Sequence, residues 1–187
     1  KKIKFKLSRK NILITFHPIT NKPLETKKQL AEILKALKNI KQANFIFTKP
    51  NSDSGSEGII KKIEDFIRKN KKRAKLYNSF GHKLYYSVLK NVDCMVGNSS
   101  SGLTEAPYLG LATINIGNRQ EGRVQFGNII NVSAKSKIIE RKIRSALNKK
   151  KKINKNNLKT GATKKIVKII EKLNFLSPLK KSFYDLN

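Results

Sequence analysis

The sequence has few of the residues on which disulfides, metal sites and membrane spans depend. Its 187 residues include one cysteine and two histidines. The single cysteine, Cys94, excludes a disulfide within the chain, and its position in an apolar strand pattern places it in the core. One cysteine and two separated histidines do not make a metal-ligand set, so we expect neither a metal nor a cofactor. No apolar run reaches the roughly 18 residues of a membrane-spanning helix, and we expect a soluble, cytoplasmic protein.

Acidic residues are also scarce, and the charge balance is strongly positive. Twelve Asp and Glu face 42 Lys and Arg, which gives a formal net charge of +30. Such a charge is typical of nucleic-acid binding, but only seven of the basic residues are arginine, the side chain that grips phosphate bidentately and reads base edges. The lysines are spread over nearly every predicted element. We therefore interpret the charge as a solvated basic surface, with nucleic acid as the weaker alternative, and expect its field to favour anionic ligands.

Short apolar runs alternate with amphipathic helical patterns along most of the chain. Runs of about five residues bounded by turn residues predict strands, and apolar residues at helical spacing predict the helices between them. The predicted strands are 11–16, 44–48, 74–77, 92–96, 112–116 and 129–132, and the helices are 24–37, 59–67, 82–89, 104–109, 138–147 and 166–173. This alternation predicts an α/β fold, a Rossmann-like doubly wound parallel sheet over residues 1–174. An apolar tail, 175–187, follows.

Polar residues collect where the predicted strands end. Ligands of doubly wound sheets bind beyond the carboxyl ends of the strands, so these residues are expected to share one edge. In chain order they are His17, Asn51 with Asp53, Ser79 to Gly81 around Phe80, Ser99 with Ser100, and Arg119. Their convergence predicts a binding site.

Three consecutive serines, Ser99, Ser100 and Ser101, lie between the fourth predicted strand and the helix that follows it. Unpaired backbone N–H groups and the helix dipole favour an anion at such a turn, and serine hydroxyls add donors. The candidate ligand is a phosphate. The alternative is simple helix capping, for which serine is well suited, although three serines are more than one cap needs.

Several of these motifs occur together in one known family. GNSSSG followed by EAP, then NIGNRQEGR and a hydrophobic strand at 128–132, resembles the C-terminal half of the hydrolysing UDP-N-acetylglucosamine 2-epimerases, closest to their bacterial branch in sialic acid synthesis. The similarity extends from NILITFHPIT through FTKPNSDSG and LKNVDCMVGNSSSG to KKSFYDL. It implies the C-terminal UDP-binding domain of a glycosyltransferase type B-like two-domain fold, with an N-terminal domain that this sequence lacks. The chain is then a fragment of a homo-oligomeric enzyme, and the tail packs on the absent domain or on a partner subunit.

The resemblance also implies roles for the residues around the serine turn. Ser99 and Ser100 match the serines that hold the diphosphate of UDP. Glu105 matches a glutamate that accepts hydrogen bonds from both ribose hydroxyls, as a carboxylate can. The alternative for Glu105 is a first-turn acid that complements the helix dipole.

Four further positions match the family's nucleotide site. His17 matches a histidine that touches the diphosphate and assists departure of UDP, and it is the one catalytic residue expected here. Asn51 and Arg119 match nucleotide-contacting residues, and Phe80 aligns beside the uracil. Core packing for Phe80 and an ordinary turn around Asn51 are the alternatives.

The implied reaction converts UDP-N-acetylglucosamine into N-acetylmannosamine and UDP, by elimination of UDP and hydration of the resulting glycal. The base for the C2 proton belongs to the family's N-terminal half, so we expect this chain to bind UDP weakly without turnover. NLKTGATKK, from Asn157, departs from the family's glycine-rich segment. A non-hydrolysing 2-epimerase or a glycosyltransferase of the same fold is the main alternative.

Overall fold

The computed structural model describes residues 3–125, 128–149, 151, 153 and 161–173. The chain forms two compact units, Lys1–Asn157 and Leu158–Asn187. The first contains a six-stranded parallel sheet in the order β3-β2-β1-β4-β5-β6. Its strands are β1 (Asn11–Thr15), β2 (Asn44–Thr48), β3 (Ala74–Tyr77), β4 (Cys94–Gly97), β5 (Ala112–Ile116) and β6 (Ile129–Val132). The predicted doubly wound Rossmann-like sheet is confirmed, and the winding reverses between β1 and β4.

In the first unit a helical segment follows every strand except β5, which leads to β6 without a helix among the described residues. The helical segments are α1 (Pro23–Asn39), α2 (Ser56–Arg68), α3 (Gly81–Asn91), the single turn α4 (Ser101–Thr104) with a 3-10 helix (Ala106–Leu109), and α5 (Ser136–Asn148). The second unit contains α6 (Ala162–Lys172). The predicted tail, 175–187, lies outside the described residues. None of the described helices has the length and apolar character needed to cross a membrane.

The predicted helix 104–109 is wrong in both its start and its type. An α-helical turn begins three residues earlier, at Ser101, and a 3-10 helix replaces the α-helix from Ala106. Pro107 lacks the N–H that an α-helix would direct to the carbonyl of Leu103, so the α-helix cannot continue through it. The serine turn is therefore followed by a short, bent helical segment.

The core lies on both faces of the sheet because alternate strand residues point to opposite sides. In β1, Ile12 and Ile14 pack with α1 and α5, whereas Leu13 packs with α3. Cys94 is fully buried, as predicted, and burial raises the pKa of its thiol. Both faces of the central strands are covered, so the exposed carboxyl edge is where polar side chains can collect.

Candidate functional site

The candidate site lies at the carboxyl edge of the sheet, where β1 and β4 diverge. The ladder between them ends at the pair Thr15 and Gly97. Gly97 has φ +141°, and a Cβ built there would lie 1.9 Å from the carbonyl oxygen of Thr15. Glycine is therefore required for this approach of the two strands. The loop after β1 carries His17, and the loop after β4 carries the serines.

Asn98 connects the loops that leave β1, β4 and β5. Its side-chain Oδ1 accepts a hydrogen bond from the N–H of His17 (2.7 Å), and its Nδ2 donates to the carbonyl of His17 (2.9 Å). Its own carbonyl accepts from Nε2 of Gln120 (2.7 Å) and from the guanidinium of Arg119 (3.2 Å). His17 and Arg119 are thus brought to the same point of the edge.

His17 is half-buried and held as a neutral imidazole. The backbone N–H of Asn51 donates to its Nδ1 (3.1 Å), so the proton of the neutral ring is on Nε2. Burial, and then the charge of Arg119, lower the pKa of His17, while the Asn51 side chain and Asp53 act in the opposite direction. The ring can therefore donate a hydrogen bond from Nε2 at neutral pH.

The serine turn leaves donors available to a ligand. Carbonyl groups of Ser99 and Ser100 accept the N–H groups of Gly102, Leu103 and Thr104, which closes the turn. Within the described residues, the backbone N–H groups of Ser99 and Ser100 donate to no acceptor in the protein. Ser100 stands at the N-cap of α4 and makes no side-chain capping bond there. The hydroxyl of Ser99 accepts the N–H of Ser101 (3.4 Å), so part of the capping alternative is present, while the two N–H groups remain for a ligand.

Ser101 differs from the two serines before it. Its hydroxyl is hydrogen-bonded to the phenol of Tyr85, a residue of α3. Burial raises the pKa of Tyr85 to about 12, so the phenol stays protonated. The contact ties the turn of α4 to α3.

Glu105 and Phe80 lie on the α3 and α4 side of the site. Glu105 follows α4, is half-buried and accepts a hydrogen bond from the hydroxyl of Thr104. Phe80 precedes α3, and its ring packs on Tyr77 with centroids 4.7 Å apart. The core-packing contact considered for Phe80 is therefore present in the structure.

A cavity of about 330 Å³ opens beside the site, between the β1 and β5 loops. Asn118 and Arg119 line one wall, and Asp53 contributes a carboxylate that also accepts a hydrogen bond from the Asn51 side chain (2.5 Å). Burial is the main cause that lowers the pKa of Arg119. The cavity offers room for a polar group next to Arg119.

Sequence reasoning assigned no role to Asn98 or to Gln120, which stands in the NIGNRQEGR motif. Both are buried, with 0% and 1% of their surface exposed. Asn98 carried a signal, because a polar residue directly after a strand-ending glycine stands at the ligand edge. For Gln120 the only signal was its position next to Arg119.

The fold and the site together define a Rossmann-like α/β domain with hydrogen-bond donors and a guanidinium at its carboxyl edge. The sequence pattern described as UDP-N-acetylglucosamine 2-epimerase matches residues 1–171. The chain belongs to this family.

Individual relatives support the assignment. A GDP/UDP-N,N'-diacetylbacillosamine 2-epimerase (hydrolyzing) from Campylobacter jejuni is 40% identical over 130 residues, 70% of this chain and 34% of that protein. The polysialic acid biosynthesis protein P7 of Escherichia coli is 37% identical over 138 residues, 73% of this chain and 35% of that protein. The chain thus spans about a third of the length of these relatives.

Solved structures show the same fold. The UDP-GlcNAc 2-epimerase from Neisseria meningitidis, bound to UDP-GlcNAc, superposes with a TM-score of 0.69 at 19% sequence identity. The match covers 88% of this chain and 45% of that one.

Proposed function

We propose that this chain is the UDP-binding half of a hydrolysing 2-epimerase that acts on a UDP-linked acetamido sugar. The observation that carries the proposal is the meeting of three loops at one edge. The His17 backbone and the Arg119 guanidinium both contact Asn98, next to the free N–H groups of Ser99 and Ser100, which supports assigning these groups to one ligand. Donors of this kind suit a diphosphate.

The remaining residues fit the parts of a nucleotide. We assign the ribose hydroxyls to Glu105, whose carboxylate can accept two hydrogen bonds, and the uracil to the neighbourhood of Phe80. Asn51 orients His17 through its backbone N–H and contacts the nucleotide with its side chain. No metal and no cofactor is needed for these roles.

His17 assists the departure of UDP in the proposed reaction. The bond between C1 of the sugar and the phosphate oxygen breaks, and UDP leaves with the electron pair while a base removes the C2 proton. The Nε2–H of His17 donates a hydrogen bond to the diphosphate as its charge grows. Water then adds to the glycal and gives the 2-epimeric free sugar, N-acetylmannosamine when the substrate is UDP-N-acetylglucosamine.

The base for the C2 proton lies outside these residues in our proposal. Among the described carboxylates at the edge, Asp53 is hydrogen-bonded to Asn51, and Glu105 is assigned to ribose. The chain spans only about a third of its relatives' length. We therefore expect UDP binding without turnover, with the N-terminal domain of the same enzyme as partner and a homo-oligomer as the assembled state.

Calorimetric titration of UDP into the chain tests the nucleotide site. Ser100→Ala and Glu105→Gln should each weaken binding about tenfold, the value of one hydrogen bond to a charged group. Ser145→Ala and Glu64→Gln change the same residue types at exposed helix positions and should leave affinity unchanged. A folded sample that shows no saturable UDP binding contradicts the proposal. Salt-dependent binding of nucleic acid by a chain that ignores UDP would favour the nucleic-acid alternative.

The sugar is a second question, with two candidates. The family description favours UDP-N-acetylglucosamine, whereas the 40% identical relative is named for a diacetylbacillosamine nucleotide. Joining the chain to an N-terminal half and assaying both substrates separates them. Release of UDP together with a free sugar supports hydrolysis. A UDP-sugar product indicates the non-hydrolysing reaction, and a requirement for an acceptor indicates a glycosyltransferase.

A further inference from the structure

Asn98 continues the pairing of β1 and β4 beyond the end of their backbone ladder. The N–H of Asn98 donates to the carbonyl of Thr15 (3.2 Å). Two residues further along the chain, at His17, the Asn98 carboxamide takes the place of a neighbouring strand, because it bonds both the N–H and the carbonyl of His17. The side chain thus acts as an additional peptide group for the β1 loop.

This contact needs a donor and an acceptor at the end of one short side chain. A carboxamide supplies both, an aspartate supplies acceptors only, and an apolar residue supplies neither. Asn98 is fully buried. If its carboxamide were removed, water could not reach this point to bond the backbone groups of His17. The requirement is therefore specific to the side-chain chemistry at position 98.

Gln120 is hydrogen-bonded to the backbone of Asn98. Its Nε2 donates to the carbonyl of Asn98, next to the bond from Arg119. A guanidinium has five N–H groups, so Arg119 retains donors for a ligand while Gln120 keeps the β5 loop in place. The Oε1 of Gln120 is buried and makes no hydrogen bond within the described residues.

We propose that Asn98 and Gln120 are positioning residues, which fix the loops after β1, β4 and β5 so that His17, the serine turn and Arg119 face one ligand. This inference rests on the proposed function. Neither side chain touches the nucleotide; both act through the residues that do.

Asn98→Ala and Gln120→Met test the proposal in the full chain. The first removes both contacts to the His17 backbone. The second keeps the approximate volume, deletes the donor to Asn98 and removes an unpartnered oxygen, so it should fold well. Ile143→Val in α5 is the control, since Ile143 lies in the core and takes no part in these bonds.

Titration of the histidine ring protons, followed by NMR, measures the surroundings of His17 independently of the free energy of unfolding. The chain has two histidines, so His82→Gln assigns the His17 signal. The groups that act on the His17 ring are Asp53, Arg119 and Asn51. In both positioning variants, a looser β1 loop should shift the titration of the His17 ring toward that of a free histidine. In Ile143→Val the titration of the His17 ring should be unchanged.

UDP affinity provides the second readout. We expect about tenfold weaker binding in each positioning variant, as for loss of one hydrogen bond at the ligand, and wild-type affinity in the control. Unchanged His17 titration and unchanged affinity in a folded Gln120→Met protein would overturn the inference. If the wild-type chain binds no UDP, the proposed function fails, while the His17 titration still decides whether the two residues position the ring.

Discussion

Gly97→Ala should destabilise the protein more than any other glycine-to-alanine change at the edge of the sheet. The added methyl group would lie 1.9 Å from the carbonyl oxygen of Thr15, far inside contact distance, and φ +141° is unfavourable for any residue with a Cβ. The atom in the way belongs to the backbone of the central strand β1, so it cannot swing aside as a side chain would. Relief requires β1 and β4 to separate.

The cost follows from two contributions. A residue held in a disfavoured backbone region costs about 1–3 kcal/mol, and forcing extra volume into a packed site typically costs another 1–3 kcal/mol. The sum of about 2–6 kcal/mol is a large part of the roughly 5–15 kcal/mol that keeps a domain folded. We therefore expect a much lower urea midpoint, or loss of folding.

Urea unfolding followed by circular dichroism measures this difference, with Gly58→Ala as matched control. Gly58 lies in α2, and nothing is within 4 Å of the position of its missing Cβ. Alanine there should stabilise the helix by about 0.5–1 kcal/mol. Equal free energies of unfolding for the two variants would refute the close approach of β1 and β4 described above.

Three other predictions concern the same edge and can be measured by unfolding. Gly102→Ala places a Cβ 2.5 Å from Cγ2 of Thr113 and should lower the free energy of unfolding by about 1–3 kcal/mol. Adding Thr113→Ser removes that methyl group and should restore most of the loss. A double variant that is no more stable than Gly102→Ala contradicts the contact. The hydroxyls of Thr15 and Thr48 are buried and hydrogen-bonded to each other at 2.7 Å. Thr15→Val leaves the Thr48 hydroxyl without a partner and should lower the free energy of unfolding by about 1–3 kcal/mol, whereas the double valine variant should lose much less. Losses that add up in the double variant would argue against the pair. The pKa of His17 lies below its ordinary value of 6.5, so the unfolded chain binds the proton more readily. Stability should therefore fall as pH drops from about 7 to 5, more steeply than in His17→Asn; parallel pH curves would exclude this role for the ring.

The sequence predicted the alternating strands and helices well because their signals are local. NFIFT is apolar, short and bounded by polar residues, and the structure has β2 at the predicted residues. Helix α2 follows the spacing of Ile59 and Ile63, both buried. The prediction at 104–109 was wrong because it followed apolar periodicity alone. In the structure, backbone hydrogen bonds start the helix in the serine turn, and Pro107 ends its α-helical part.

The candidate site was only partly predictable. Strand ends pointed to His17 and the serines, because all parallel strands place their carboxyl ends at one edge. The contacts of Asn98 and Gln120 depend on residues 81 and 22 positions away, respectively, and no local pattern reports such distances. The same holds for the Asn51 N–H that selects the tautomer of His17.

The sequence by itself determined the class of fold, the order of its elements and the edge at which polar residues gather, since periodicity and turn composition act within a few residues. Only the tertiary structure decided which of those residues meet, that Gly97 must lack a side chain, and that His17 is neutral with its proton on Nε2. These properties depend on burial and on hydrogen bonds between loops far apart in the chain. Such loops come together only after the sheet has formed.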